Sequence, residues 1–272
     1  MKEYGFIRVG AIVNKLVLAS PNSNAKEIVR MIKKAYKNDI SIVTTPELAL
    51  TGYTCGDLFL QDELLEETEA ALKLILDETK DLDIISIIGM PLRCNNQLIN
   101  SAVVIEKGNI LGVVPKTYIQ NYSEFYEKRW FTTSLDLRVN EVKLLGEVVP
   151  ISTKLLFRDK DYKEITFAIE ICEDLWSVFP LSNNHALNGA SIIFNLSSSN
   201  EIVGKDSYRR NLVSMQSAKT LSAYIYVSSG IMESTSDLVF GGASLIYENG
   251  KLLKSNKRFE IESNLIYADI DV

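Results

Sequence analysis

Three apolar, β-branched stretches each end in a group that can do chemistry. ISIVTTPE delivers Glu47, NILGVVPK delivers Lys116 and TFAIEIC delivers Cys172. A thiolate is a strong nucleophile whose free-thiol pKa of about 8.5 falls beside a cation, and Lys116 is the cation on offer. The same ammonium, assisted by the backbone N–H of Glu173, can stabilise the oxyanion that forms when sulfur attacks a carbonyl. Glu47 can accept the thiol proton, pass it to a departing nitrogen and then activate water against the thioester. Taken singly, each signal is ordinary: Pro-Glu after a strand is usually a turn, Pro-Lys after a hairpin a solvated end, and a strand-end cysteine a small buried hydrophobe. Taken together they describe amide hydrolysis through an acyl-enzyme, a scheme that needs no histidine. The chain has one histidine, His185 in LSNNHALNGA, expected on the surface or in a second layer.

These groups need rigid elements behind them, and the pattern supplies these. GFIRVGAIV reads as a strand, and NAKEIVRMIKKAY carries Ala25, Ile28, Val29 and Ile32 at helical spacing. Asn24 followed by Glu27 resembles a helix start. The strand ending at Pro46, the helix DELLEETEAALKLILDET and the strand DIISIIGMP continue a β, α, β, α, β order. INSAVVIEKGNILGVVPK reads as a hairpin turning at Lys107, Gly108 and Asn109. Alternation resumes with EITFAIEIC, the His185 helix, SIIFNLSSS, the helix DSYRRNLVSMQSAKTLSA and AYIYVSSG. A hairpin, GASLIYENGKLLKS, and a strand, SNLIYADI, complete it. Two βαβ-rich halves imply sheets covered by helices, with ligands expected beyond the carboxyl ends of the strands. The aromatic and charged stretch from Tyr118 to Asn140 is the longest irregular piece, and such loops are often functional.

Composition sets the bounds. The 272 residues are 46% hydrophobic and 24% charged, ordinary globular usage that fits one large α/β domain. A net charge of −6 argues against broad phosphate binding, so no nucleic-acid partner is expected. MKEYGFIRVG has no signal-like apolar region and no stretch approaches membrane-spanning length, so no membrane association and a cytoplasmic location are expected. Cys55, Cys94 and Cys172 are odd in number and widely spaced, which suggests neither a disulfide framework nor a metal site.

PELALTGYTCGDLF, PKTYIQNYSEFYEKRWF and EICEDLW resemble the Glu, Lys and Cys motifs of the nitrilase superfamily of carbon-nitrogen hydrolases. NYSEFYEKRWF, NLSSSNEIVGKDSYRR and ESTSDLVFGGASLIYENG narrow this to a resemblance to the glutaminase (glutamine amidotransferase) domain of glutamine-dependent NAD synthetases. The resemblance covers nearly the whole chain. It implies a four-layer αββα sandwich over residues 1–272, with Glu47 as general base, Lys116 as transition-state stabiliser and Cys172 as nucleophile. It implies that Glu124, eight residues after Lys116, is a supporting glutamate that orients the site. It maps a glutamine pocket onto Tyr122, Glu173, Ser199 and Lys205, with a main-chain contact from Trp176; Lys205 and Glu173 suit the α-carboxylate and α-ammonium of glutamine. Arg209 and Arg210 are expected on the solvated face of a helix. One departure is Gln120, where the family commonly has proline.

The implied reaction is glutamine to glutamate and ammonia, with no metal or organic cofactor. The ammonia would pass to a synthetase domain or subunit that amidates deamido-NAD with ATP and magnesium, a domain absent from these 272 residues, which contain no P-loop or G-x-G-x-x-G string. A homo-oligomer is also expected from the resemblance. Two competitors are a stand-alone amidase using the same three residues and a catalytically silent scaffold.

Overall fold

The computed structural model describes residues 2–272. The first half contains β1 (Phe6–Val13), α1 (Pro21–Tyr36), β2 (Ile42–Thr44), α2 (Asp62–Thr79), β3 (Ile85–Cys94), β4 (Gln97–Glu106) and β5 (Asn109–Pro115). A small hairpin of β6 (Glu141–Leu144) and β7 (Glu147–Pro150) follows, then β8 (Phe157–Arg158) and β9 (Thr166–Ile171). The second half continues with α3 (Glu173–Trp176), α4 (Leu181–Leu187), β10 (Ile192–Ser197), α5 (Lys205–Thr220) and β11 (Ala223–Ser228). It ends with β12 (Ser244–Glu248), β13 (Lys251–Ser255) and β14 (Asn264–Asp271).

Two six-stranded sheets result, ordered β14-β1-β2-β3-β4-β5 and β13-β12-β11-β10-β9-β8. Side chains alternate across a strand, and here both faces are buried. Phe167, Ile169 and Ile171 of β9 join Ile192, Phe194 and Leu196 of β10 in a core shared with Ile7, Val9 and Ala11 of β1. Ala168, Ile193 and Tyr224 belong to a separate core with Val213 of α5. On the outer face of the first sheet, Ile28 and Ile32 of α1 and Leu72 and Ile75 of α2 pack over Ile12, Val43 and Ile88. The order is therefore helix, sheet, sheet, helix, the sandwich implied by the resemblance. Double-faced burial also explains why the strands read as nearly continuous apolar runs.

Helix α1 starts earlier than the Asn24–Glu27 pattern predicts. Pro21 occupies its first turn, where a missing N–H costs nothing. Asn24 is inside the helix and buried; its carboxamide accepts from Val17 N and donates to the carbonyls of Val17 and Leu50. It ties a loop to the helix instead of capping it.

Strand direction fixes where the chemistry emerges. β1, β2 and β3 run parallel, β4 runs antiparallel to β3, and β5 antiparallel to β4. Consequently β2 and β5 end at the same edge, three strand spacings or about 14 Å apart. The turn after β2 closes much of that gap by crossing the end of β3. Thr45 N donates to Ile87 O, and Leu50 N to Gly89 O. Gly89 permits the crossing, because a Cβ there would sit 2.2 Å from Pro46 O and 2.7 Å from Leu48 N. Both are backbone atoms that cannot swing away. Gly89→Ala should therefore destabilise the protein by about 2 kcal/mol or more, measurable by urea denaturation, and should displace Glu47; a change below about 0.5 kcal/mol would contradict the close approach.

Candidate active site

Glu47 and Lys116 meet at this edge. Lys116 Nζ donates to Glu47 Oε1 at 2.6 Å and to Glu127 Oε1 and Oε2 at 2.8 and 2.9 Å. All three residues are buried, with Lys116 at 0% exposure. Burial alone would lower the ammonium's pKa, but the charges of Glu127 and Glu47 outweigh it and hold Lys116 well above the ordinary lysine value. Lys116 is thus a fixed cation. Asn100 on β4 organises its neighbours: its Nδ2 donates to Glu47 Oε1 at 2.6 Å, and its carbonyl accepts from Lys116 N at 2.8 Å. With Oε1 doubly engaged, Glu47 Oε2 is buried without a partner and is the oxygen free to take a proton.

The second carboxylate on Lys116 is Glu127, not Glu124. Glu127 sits in a 3₁₀ turn (Glu127–Arg129), grips Lys116 and accepts from Tyr53 Oη at 2.6 Å. Glu124 faces elsewhere, accepting from Asn200 Nδ2. Burial pushes the Glu127 carboxyl up, to about 7, with the Glu47 charge acting in the same direction against the pull of Lys116.

Cys172 follows β9 and opens α3. Its N–H still donates to Leu196 O at 2.8 Å, as in a strand, but its φ of 46° and ψ of −100° end the extended run. On a continued strand, residue 172 would point with Ala168 and Glu170 toward the helix layer. The turn instead packs Cys172 into the core between the sheets, the space into which Glu47 is tied by Glu47 N donating to Ser197 O. A non-glycine residue in such a conformation stores strain, a feature that clusters at functional sites.

The charges of Glu47, Lys116 and Glu127 all act on the Cys172 sulfur. Lys116 pulls the thiol pKa down as expected, but the net fall expected beside a cation does not follow. Burial, followed by the Glu47 charge, pushes the thiol above its usual range and exceeds the opposing effect of Lys116. Burial first, and then the two nearby carboxylates, favour the protonated form of the sulfur over the thiolate.

Asp174 fastens the lysine and cysteine segments together. Its buried carboxylate accepts from Thr117 N (3.1 Å), Tyr118 N (2.8 Å) and Ile171 N (3.0 Å). Those amides follow Lys116 and precede Cys172, so one side chain sets the spacing of the two segments.

The residues assigned to a glutamine pocket gather around this centre in two groups. Glu173 accepts from Tyr122 Oη at 3.0 and 3.2 Å and from Gln120 Nε2 at 2.8 Å. Lys205 donates to Asn200 Oδ1, and its ammonium lies 5.2 Å from the Trp176 ring centroid and 5.8 Å from that of Phe125; burial lowers its pKa. Ser199 is buried, its N–H donates to Ser228 Oγ at 2.9 Å, and its own Oγ has no partner. A cavity of about 180 Å³ adjoins the network, lined in part by Tyr53, Glu124, Phe125, Tyr126, Trp130 and Asp237.

Other expectations need revision. Arg209 is fully buried, bonded to Glu201 Oε1 at 2.9 Å and to Asn200 O, and so is no solvated helix residue; Arg210 is partly exposed beside Asp206. His185 is buried against Thr153 O at 2.8 Å and takes no part in the hydrogen bonds around Lys116. Cys55 and Cys94 are buried free thiols. Among the described residues no cluster of His, Cys, Asp and Glu could hold a metal ion, and no helix is long and apolar enough to cross a membrane.

Sequence reading missed Glu127, Asn100, Asp174 and Tyr53. The signals were present for two of them. Asn100 is a polar residue inside the apolar strand INSAVV, and Asp174 is a second acid just after Cys172.

A sandwich of this topology with a buried Glu-Lys-Cys cluster at the strand ends defines a class, and residues 8–272 match the carbon-nitrogen hydrolase family: the chain belongs to that family. It is 38% identical over 269 residues to the glutamine-dependent NAD(+) synthetase of Mycobacterium tuberculosis, an alignment covering 99% of this chain and 40% of that protein. It is 31% identical to the Aquifex aeolicus glutamine-dependent NAD(+) synthetase over 91% of this chain and 40% of that protein. The chain thus spans about two-fifths of these relatives. Among solved structures, a glutamine-dependent NAD(+) synthetase from Cytophaga hutchinsonii superposes with a TM-score of 0.85 at 29% identity, over 97% of this chain and 43% of that one. An amidase from Nesterenkonia sp. shares the fold, with a TM-score of 0.75 at 18% identity over 97% and 90% of the two chains.

The titration of Glu127 leads to a test. Protonation removes one acceptor from Lys116, so activity should decline as pH falls below about 7. Glu127→Gln should lower kcat about 100-fold and flatten that limb of the pH–kcat/KM profile, measured as ammonia release. An unchanged acid limb in the variant would assign the titration to another group.

Proposed function

We propose that this site hydrolyses the side-chain amide of glutamine to glutamate and ammonia, as the ammonia-supplying half of a glutamine-dependent NAD synthetase. The observation that carries the chemistry is the buried Lys116, fixed between Glu47 and Glu127, whose charges converge on Cys172. The names of the relatives support the choice of glutamine.

In this mechanism Cys172 attacks the amide carbonyl while Glu47 Oε2 takes the thiol proton. General-base removal during attack suits a sulfur that rests protonated. Lys116 and the Glu173 N–H receive the negative oxygen of the tetrahedral intermediate. Glu47 returns the proton to the departing nitrogen, ammonia leaves and the glutamyl thioester remains. Water then attacks under Glu47 catalysis, glutamate departs and the thiol is regenerated. Lys205 holds the substrate's α-carboxylate, and Glu173 with Tyr122 holds the α-ammonium; Ser199 Oγ supplies a further polar contact.

This half of the reaction uses no metal or organic cofactor. Ammonia passes to a synthetase domain or subunit that amidates deamido-NAD and uses ATP and magnesium. We further propose that the protein works as a homo-oligomer.

Ammonia release from glutamine, with and without a Cys172 alkylating agent, tests the reading. Cys172→Ala should abolish release while preserving the melting temperature within a few degrees, because it removes only a thiol; retained turnover would overturn the assignment. Cleavage of simple aliphatic amides with indifference to glutamine would instead identify an amidase. Lys116→Met should reduce kcat at least about 100-fold and should also destabilise the fold, since two buried carboxylates lose their cation. A rate loss below tenfold would remove Lys116 from the transition state.

A further inference from the structure

Gln120 stands beside Glu173 with half of its carboxamide unused. It is 5% exposed. Its backbone carbonyl accepts from Glu127 N at 3.0 Å, which ties its position to the turn that holds Lys116. Its Nε2 donates to Glu173 Oε2 at 2.8 Å. That contact settles the orientation of the amide, because an ionised carboxylate only accepts hydrogen bonds and the group facing it must be the NH₂. The carbonyl Oε1 is then the other branch of the same carboxamide, buried and without a donor. A buried acceptor left unpaired is costly. Its surroundings call for a donor, and the adjacent Glu173 carboxylate calls for a positive one.

We infer that Gln120 is a specificity-determining residue that recognises the α-ammonium of an amino-acid amide substrate, its Oε1 accepting one ammonium proton beside Glu173. The inference rests on the function proposed above and adds to it a residue outside the glutamine pocket named there.

The donor and acceptor counts agree. An α-ammonium has three protons to place. Glu173 offers about four lone-pair sites; Gln120 Nε2 and Tyr122 Oη use part of this capacity, leaving room for one or two ammonium donors. Gln120 Oε1 takes the next. The same residue therefore orients the carboxylate through its N–H and completes the ammonium site through its carbonyl. An apolar side chain can do neither. The opposite charge, the α-carboxylate, has Lys205 as its complement, so the two substrate charges are read by separate groups.

The test compares glutamine with glutaramate, the same five-carbon monoamide lacking the α-ammonium. Calorimetry on the 272-residue chain carrying Cys172→Ala gives both affinities without turnover, and KM values in the Cys172 chain give them a second time. Gln120→Leu should weaken glutamine about tenfold, the expected effect of one lost hydrogen bond to a charged group, while leaving glutaramate unchanged. Gln120→Met, of similar length but more adaptable, should show the same selectivity and guards against a packing fault particular to leucine. A loss shared equally by the two ligands, or no loss with glutamine, overturns the inference while leaving the glutaminase reading intact. If the parent chain neither cleaves nor binds glutamine, the glutaminase reading fails, and the role of Gln120 fails with it.

Discussion

A lysine ammonium enclosed by two glutamates is the constraint on which the site depends. Moving an ion out of water costs several kcal/mol even after the protein relaxes, so Lys116 can be charged at 0% exposure only if its partners are already in place. Glu47 and Glu127 are those partners, each close enough for a charge-assisted hydrogen bond. Neither can move without leaving a buried charge uncompensated. This mutual dependence holds side chains from two sequence-distant segments, Glu47 on one and Lys116 with Glu127 on the other, to one geometry, the preorganisation that electrostatic catalysis requires.

The rest of the fold makes that encounter possible. Parallel and antiparallel pairings send β2 and β5 to the same edge, and the absence of a side chain at Gly89 lets the Glu47 turn cross β3 toward Asn100. The second sheet contributes Cys172 from the opposite side of the central core. The positive φ redirects its side chain from the helix face into that core. Asp174 then links the amide preceding Cys172 to the two following Lys116. Backbone geometry, more than side-chain reach, brings the three groups together.

Much of this was legible in the sequence because strands buried on both faces leave long apolar runs, and the reactive residues stand where those runs stop. The choice between Glu124 and Glu127 was not legible. Both acids lie in one irregular stretch, and counting from Lys116 cannot say which is turned inward. The fold directs Glu127 to Lys116 and Glu124 to Asn200. Asn24 misled for a similar reason, since a helix-capping residue and a buried loop anchor share the same short polar side chain. Arg209 reads as a surface residue until Glu201 and Asp206 are seen enclosing it. In each case the deciding fact is the identity of a neighbour distant in sequence or on another turn of the chain.

The thiol shows the same principle in its sign. A sequence offers one cation near one cysteine and suggests a thiolate. The folded site adds a second carboxylate and removes the solvent, and the balance reverses. A buried thiolate would be a third negative charge facing one ammonium. With the proton retained on sulfur, Glu47, Glu127 and Lys116 sum to one negative charge when both carboxylates are ionised. In the proposed mechanism, proton transfer from sulfur to Glu47 takes that sum to zero as the substrate oxygen gains one negative charge, so the site as a whole stays at one negative charge. Lys116 can therefore stabilise the oxyanion without the site having to bury another net charge, which explains why a nucleophile with a raised pKa is compatible with a paired lysine and a carboxylate base.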